Sequence, residues 1–394
     1  MKFSRLSIFV LFIYALPAYA GPAIDALGKI EQAALMMVDA KGNTLYSKQV
    51  DQQYIPASTV KLLTAFMALE HWGTEHRFST KFYVNKKNHA LVVKGLGDPF
   101  LISEEIDLIV EEIKHTGIQS LSGIQADISY FSDKLAQSRQ VETTNSYDAA
   151  ASALAANFNT IEVKVVNGEV SSGERQTPLT PMAKLLAVGL PEGRHRINLG
   201  NAQRGPQYFV ELLRVKLLAA GVLIEHQMTL ESSESDLTLL FTHKNSHTLG
   251  QVVAAMLEYS NNFIANQLFL LMGASILEAP ATMEKAQTVL NNFVNQHFDW
   301  QTFAIQDGAG LSRENRLSAR QLIQVVQKFA KYRDLVPVQK PGIKAKSGTL
   351  QGVSCYAGYV WRDEQWMAFA LMINQPVEYR FRERLAEELR INRF

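Results

Sequence analysis

Cysteine is almost absent: Cys355 is the one thiol in 394 residues. A lone cysteine excludes an internal disulfide. With Val353, Tyr356 and Tyr359 around it, Cys355 reads as a small hydrophobe buried in a strand. Net charge is equally scarce. The 39 basic residues nearly cancel the 38 acidic ones, leaving +1, and no long basic run occurs, so nothing suggests a nucleic-acid surface. After the first twenty residues no stretch approaches the roughly 20 apolar residues that a membrane span needs. Metal-ligand spacing is missing too. His243 and His247 lie four apart, but Lys244-Asn245-Ser246 between them holds no glutamate, so they read as a solvated loop pair and not a zinc site. Gly95-x-Gly97 lacks the third glycine and the helix start of a dinucleotide loop, which leaves a turn.

What is present begins with an export signal. Lys2 and Arg5 precede an apolar stretch from Leu6 to Leu16, and Ala18-Tyr19-Ala20 is a small-x-small site, so residues 1–20 are expected to be a signal peptide cleaved after Ala20. Hydrophobic residues make up 47% of the chain, enough for a sizeable core. Ala34 to Val38 and Thr44 to Tyr46 flank Asp39-Ala40-Lys41-Gly42-Asn43, a hairpin signal. A helix follows from Ser58 to His71. The middle of the chain mixes short strands (82–84, 91–93, 123–128, 161–166) with helices at 106–116 and 208–219, and Gly221 suits a C-cap. Asn167 to Pro181, rich in Gly, Ser, Thr and Pro, reads as a loop. The tail carries two strand-like runs, Cys355 to Trp361 and Trp366 to Ile373, and a charged helix from Tyr379. Its arginines are interleaved with glutamates, which favours a solvated helix with one packed face over a membrane-binding one.

Chemistry enters at Ser58-Thr59-Val60-Lys61. A proline at 56 runs into the helix, so Ser58 falls near a helix N-terminus with Lys61 one turn on along the same face. A hydroxyl is a weak nucleophile until a nearby base activates it. Taken alone, the pair also fits an N-cap serine beside a solvated lysine. Two further segments change this. Ser260-Asn261-Asn262 offers a hydroxyl and a carboxamide after a helix, and Lys346-Ser347-Gly348 sits just before a strand, where glycine lets another backbone approach. Ser-x-x-Lys, Ser-x-Asn and Lys-Thr-Gly elements recur together, in this order, in penicillin-binding proteins and class A β-lactamases.

On these residues the sequence resembles the D-alanyl-D-alanine carboxypeptidase/endopeptidase family of low-molecular-mass penicillin-binding proteins, of the type with an insertion after the nucleophile helix. The likeness spans nearly the whole mature chain. Gly95-Leu96-Gly97-Asp98-Pro99 is similar to a loop of the insertion, Asp307-Gly308-Ala309-Gly310-Leu311-Ser312-Arg313 to the family's Asp-Gly-Ser-Gly-Leu-Ser-Arg block, and Lys346 to Gly352 to its Lys-Thr-Gly segment. Ser347 replaces the usual threonine but keeps a hydroxyl, and the stretch between Ser58 and Ser260 is shorter than in larger members. The resemblance implies an α+β fold: a serine β-lactamase/transpeptidase-like domain, an antiparallel sheet covered by helices, built from residues 21–80 and 245–394, with an inserted α/β subdomain over 81–244. It implies a periplasmic serine carboxypeptidase that removes terminal D-alanine from peptidoglycan stem peptides through an acyl-enzyme, with D,D-endopeptidase action on cross-bridges as an extension. β-Lactams are the implied covalent inhibitors. No cofactor, metal, nucleic acid or transmembrane anchor is implied, and loose membrane association is left open. A β-lactamase and a non-catalytic cell-wall binding protein of the same fold are the alternatives.

Roles follow for particular residues. Ser58 is the expected nucleophile and Lys61 its base, its pKa depressed by burial and by the cation of Lys346. Ser260 is expected to relay a proton, and Asn262 to bond Lys61 or the substrate amide. The N–H groups of Ser58 and Thr349 would form the oxyanion hole. Lys346, with a hydroxyl from Ser347 or Thr349, suits the substrate carboxylate. The resemblance further implies a pocket for the charged end of a diaminopimelate side chain, with Asp127 and Arg313 as charged contributors and Gln351 beside them. Asp127 also fits a strand-end cap, and Arg313 a structural ion pair.

Overall fold

The computed structural model describes residues 21–133, 135, 143, 145–200, 203–226 and 236–392, so the expected signal peptide lies outside the described residues. Its largest element is a six-stranded antiparallel sheet. The strand order is Val338–Lys340, Ile343–Leu350, Val353–Arg362, Gln365–Ile373, Ala33–Val38, Thr44–Lys48. The first long strand of the chain thus pairs with the last, Ala33 opposite Ile373 and Val38 opposite Ala368. Strand residues point alternately to opposite faces. Leu35, Met37, Phe369 and Leu371 meet the helices Pro22–Gly28 and Phe381–Ile391 on one side. Ala34, Met36, Ala370 and Met372 meet the main helical layer on the other. Burial on both faces explains why these strands are continuously apolar, with no alternation.

The main layer holds Lys61–Trp72, Leu249–Glu258, Asn262–Leu277, Met283–His297 and Ala319–Lys328. Asn262–Leu277 is buried along residues 262–274, as expected of a helix apolar all round. Cys355 is buried as anticipated.

Residues 79–244 carry smaller sheets around a separate core. In one, Leu91–Lys94 and Ile124–Asp127 run parallel, joined through the helix Ser103–His115, a β-α-β unit that gives this region its α/β character. Ser79–Asn85 pairs antiparallel with Leu237–Lys244, so the chain leaves and returns on adjacent strands. Gly221, with φ of 88°, follows the helix Arg204–Ala219 as its C-terminal stop. The stretch from Asn167 to Pro181 is more than a loop. Glu169–Ser172 pairs with Thr160–Val166 across the Asn167-Gly168 turn, both residues in the left-handed region that such a tight hairpin requires.

The two histidines also depart from expectation. His243 is 1% exposed, with Nε2 3.0 Å from Glu105 Oε2 and Nδ1 3.2 Å from Glu112 Oε1. His247 Nδ1 lies 3.2 Å from Glu105 Oε1, and the same carboxylate accepts hydrogen bonds from the Ser246 N–H, at 3.0 Å, and from its hydroxyl. They form a clasp on Glu105, His243 buried and His247 half-buried, and not a solvated pair. Their glutamate partners come from a helix about 140 residues earlier, where local spacing cannot reveal them.

Candidate active site

Ser58 lies in a 3₁₀ turn, Ala57–Val60, that runs directly into the helix beginning at Lys61. Pro56 starts the turn, and its carbonyl accepts from Thr59 Oγ1 at 2.7 Å. One turn on, Lys61 is fully buried. Its Nζ is 3.0 Å from Ser58 Oγ, 2.6 Å from Asn262 Oδ1 and 2.6 Å from the Ala309 carbonyl. Burial first, and then the Lys346 cation, push the Lys61 pKa well below the ordinary lysine value, opposed in part by Asp307. A neutral amine has two N–H donors and one lone pair. In that form the carboxamide oxygen and the carbonyl, both acceptors, would take the two N–H groups, and the lone pair would face the Ser58 hydroxyl.

Two glycines let distant segments close on this turn. A Cβ on Gly348 would lie 2.8 Å from the Pro56 oxygen and 3.0 Å from the Ser58 nitrogen. A Cβ on Gly310 would lie 2.0 Å from the Ala57 oxygen. Lys346-Ser347-Gly348 therefore belongs to the strand Ile343–Leu350 and does not merely precede it. Inside the sheet it gains a rigid register, Ser347 opposite Tyr356.

Lys346 is 2% exposed and donates to the Ser347 carbonyl at 2.8 Å. Burial, followed by the neighbouring Arg382 cation, brings its pKa down to about 8 against the pull of Glu258. Thr349 Oγ1 accepts from Arg382 Nη1 at 2.7 Å. Asn262 also donates from Nδ2 to the Tyr147 carbonyl at 2.9 Å, which fixes its amide orientation. Ser260 sits half-buried between two helices with φ of 52°, and no hydrogen bond joins it to Ser58 or Lys61 among the described residues. Arg313, exposed, donates to the Gln351 carbonyl at 2.6 Å. Asp127 instead accepts from the Ser129 N–H at 2.9 Å and pairs with Lys94 at 3.1 Å. Burial would raise its pKa, but these partners outweigh it and hold the carboxyl below its usual value. It makes no bond to Arg313 or Gln351 among the described residues.

Two contributors had no assigned role in the sequence. Asp307 is 1% exposed and receives the N–H groups of Ala309, Gly310, Leu311 and Ser312 at 2.7 to 3.1 Å. It folds the loop that presents the Ala309 carbonyl to Lys61. An aspartate followed by two spaced glycines is the signal that was available. Arg382 was hidden among the alternating charges of the tail helix. The packed face of that helix (Phe381, Leu385, Leu389) sets Arg382 over the Tyr356 ring, 5.8 Å from its centroid, at the end of the Lys346 strand.

Residues 23–189 and 186–340 match the D-Ala-D-Ala carboxypeptidase 3 (S13) family. The chain belongs to this family. As an S13 carboxypeptidase it is a serine-type hydrolase of D-Ala-D-Ala substrates. It is 24% identical over 417 residues to the D-alanyl-D-alanine carboxypeptidase of Actinomadura sp. (strain R39), covering 87% of this chain and 77% of the relative. It is 23% identical over 447 residues to the D-alanyl-D-alanine carboxypeptidase DacB of Haemophilus influenzae, covering 94% and 92%. The fold of this S13 member is that of the Haemophilus influenzae penicillin binding protein 4, with a TM-score of 0.75 at 20% identity over 94% of this chain and 99% of that one. A predatory endopeptidase of Bdellovibrio bacteriovorus, acylated by penicillin G, superposes with a TM-score of 0.54 at 14% identity over 90% of each chain. Among the described residues, no helix is long and apolar enough to cross a membrane.

Proposed function

We propose that Ser58 is the nucleophile of this carboxypeptidase and Lys61 its general base, acting on the D-Ala-D-Ala end of peptidoglycan stem peptides. One observation carries this reading: Lys61 Nζ lies 3.0 Å from Ser58 Oγ and 2.6 Å from each of two acceptors, Asn262 Oδ1 and the Ala309 carbonyl, which would take both N–H groups of the neutral amine and leave its lone pair to the Ser58 hydroxyl. Ser58 Oγ passes its proton to Lys61 and bonds to the carbonyl carbon. The carbonyl oxygen, now negative, faces the N–H groups of Ser58 and Thr349; one such donor contributes about 3 kcal/mol. The C–N bond then breaks, and the proton reaches the departing amine through Ser260. Water attacks the ester, gives its proton to Lys61, and the broken C–O bond returns a hydroxyl to Ser58. Lys346, Ser347 and Thr349 hold the terminal carboxylate, with Arg382 reinforcing the positive charge. Arg313, Gln351 and Asp127 form the pocket for the charged diaminopimelate end.

The chain works in the periplasm after cleavage at Ala20, and residues 81–244 form the insertion, a division supported by the paired strands on which the chain leaves and returns. β-Lactams acylate Ser58. Replacing Ser58 by Ala abolishes labelling by a fluorescent penicillin and D-alanine release from a pentapeptide; a labelled variant would refute the assignment.

A further inference from the structure

Gly95-Leu96-Gly97-Asp98-Pro99, a loop to which the proposed mechanism gives no task, lies against an alanine-rich stretch, residues 149–156. Alanine favours a helix more than any other residue, yet residues 149–156, all among the described residues, adopt no helix. Bonds from elsewhere in the chain hold the stretch out of its local preference. Gly97 donates its N–H to the Ala153 carbonyl at 2.7 Å, and Asn159 Nδ2 donates to the Ala150 carbonyl at 2.7 Å. Neither glycine of the loop has room for a side chain. A Cβ on Gly95 would lie 2.3 Å from the Ala153 oxygen, and one on Gly97 2.5 Å from Leu271 Cδ2. Conflicts between local propensity and adopted conformation concentrate at functional or strained sites.

Gln267 is the centre of these contacts. It is fully buried, on the helix Asn262–Leu277 that also carries Asn262. Its Oε1 accepts from the Ser152 N–H at 3.2 Å, and its Nε2 donates to the Ser152 carbonyl at 2.5 Å and to the Gly97 carbonyl at 2.8 Å. One amide thus takes both backbone groups of Ser152 and one of the loop, as a neighbouring strand would. Upstream on the same stretch is Tyr147, whose carbonyl accepts from Asn262 Nδ2 and so decides which end of the Asn262 amide faces Lys61. The helix grips the 79–244 region twice, at Gln267 and at Asn262, and the second grip belongs to the reacting set.

We propose that Gln267 is a positioning residue for acylation of Ser58: by fixing Ser152 it holds the Tyr147 carbonyl where Asn262 needs it, which makes the 79–244 region a working part of the catalytic centre. This rests on the reading of Ser58 and Lys61 above. With the Tyr147 carbonyl displaced, the Asn262 amide is free to turn over. Its Nδ2 then donates to the Lys61 lone pair, and the Ser58 hydroxyl loses its acceptor.

The test compares wild type, Gln267→Leu, Gln267→Glu and Thr177→Val in the full mature chain. Stopped-flow labelling with a fluorescent penicillin separates the limiting acylation rate from the half-saturating concentration, and hydrogen exchange of peptides spanning residues 145–156 reports on the alanine-rich stretch. Gln267→Leu keeps the volume but none of the three bonds. It is expected to lower the limiting rate about 30-fold, within the hundredfold that misplacement by about 1 Å costs, with half-saturation within about twofold and faster exchange over 145–156. Thr177→Val breaks bonds inside the region's own core, to Ser103 at 2.6 Å and Glu174 at 3.0 Å. It is expected to lower the melting temperature and leave the limiting rate unchanged. Gln267→Glu gives a signature that lost stability alone would not. A buried carboxyl among carbonyls keeps its proton to higher pH, and in that form it accepts from Ser152 and donates to one carbonyl, so its rate relative to wild type is expected to recover as pH falls from about 8 to about 5.5. An unchanged limiting rate in Gln267→Leu, equal losses in Gln267→Leu and Thr177→Val, or a pH-independent ratio for Gln267→Glu would overturn the positioning role and leave the carboxypeptidase standing. A wild-type chain that penicillin does not label would overturn the reading of Ser58 itself, and this role with it.

Discussion

At the level of single residues, Lys61 and Lys346 are two buried amines to which the proposed mechanism gives separate tasks, and pH separates them. In that mechanism Lys61 must be neutral to accept a proton, and Lys346 must be charged to hold a carboxylate. Because the Lys346 pKa is about 8, its cation is lost as pH rises through that value. The kcat/KM for a carboxylate-terminated peptide is therefore expected to fall above about pH 8 through a rising KM, while acylation by a neutral β-lactam ester falls less; steady-state profiles with both substrates check this. Lys61→Met removes the proposed base and should slow penicillin acylation roughly 10³-fold, measured by stopped-flow labelling. Gly348→Ala places a methyl against the Pro56 carbonyl and should cost about 2 kcal/mol in stability along with most of the acylation rate. Ser58, Lys61 and Asn262 were legible because helix periodicity and motif order put their chemistry in short segments. Asp307 and Arg382 were not, since each acts through contacts made only after packing: one gathers backbone N–H groups, and the other reaches a strand 33 residues earlier in sequence.

Among the elements, the clasp around Glu105 joins the helix Ser103–His115 to the chain where it returns toward Leu249–Glu258. Burial disfavours the Glu105 carboxylate, but hydrogen bonds from His243 and Ser246 more than reverse that and bring its pKa to about 2 from 4.5. The sign follows: this stabilisation is complete above the unfolded value of 4.5 and is lost as pH falls toward 2. Glu105→Gln should lower stability at pH 7 by about 2 kcal/mol and flatten the acid limb of a urea-denaturation profile between those limits. Most strands and helices were readable from period and flanking residues. The Glu169–Ser172 hairpin was missed because its polar composition outweighed the Asn-Gly signal. The placement of Lys346-Ser347-Gly348 within its strand was missed because an edge facing a catalytic turn need not look apolar.

For the whole molecule, the resemblance supplied the α+β architecture, and the sheet order shows how it is assembled. Ala33–Val38 lies between Thr44–Lys48, its neighbour in sequence, and Gln365–Ile373, the last strand in chain order. No local pattern announces such a seam, since each strand taken alone reads only as apolar. A nascent chain still on the ribosome thus holds a core strand whose partner does not yet exist, and the apolar side of Lys61–Trp72 has no finished sheet to rest on. Closure of this sheet waits until residues 365–373 have been made. A chain stopped at residue 364 should lose the cooperative melt of the six-stranded domain and leave at most the 79–244 region, with its separate core, resistant to trypsin. The seam thus makes the six-stranded sheet an all-or-none assembly, in which no length of chain short of residue 365 can stand in for the missing partner.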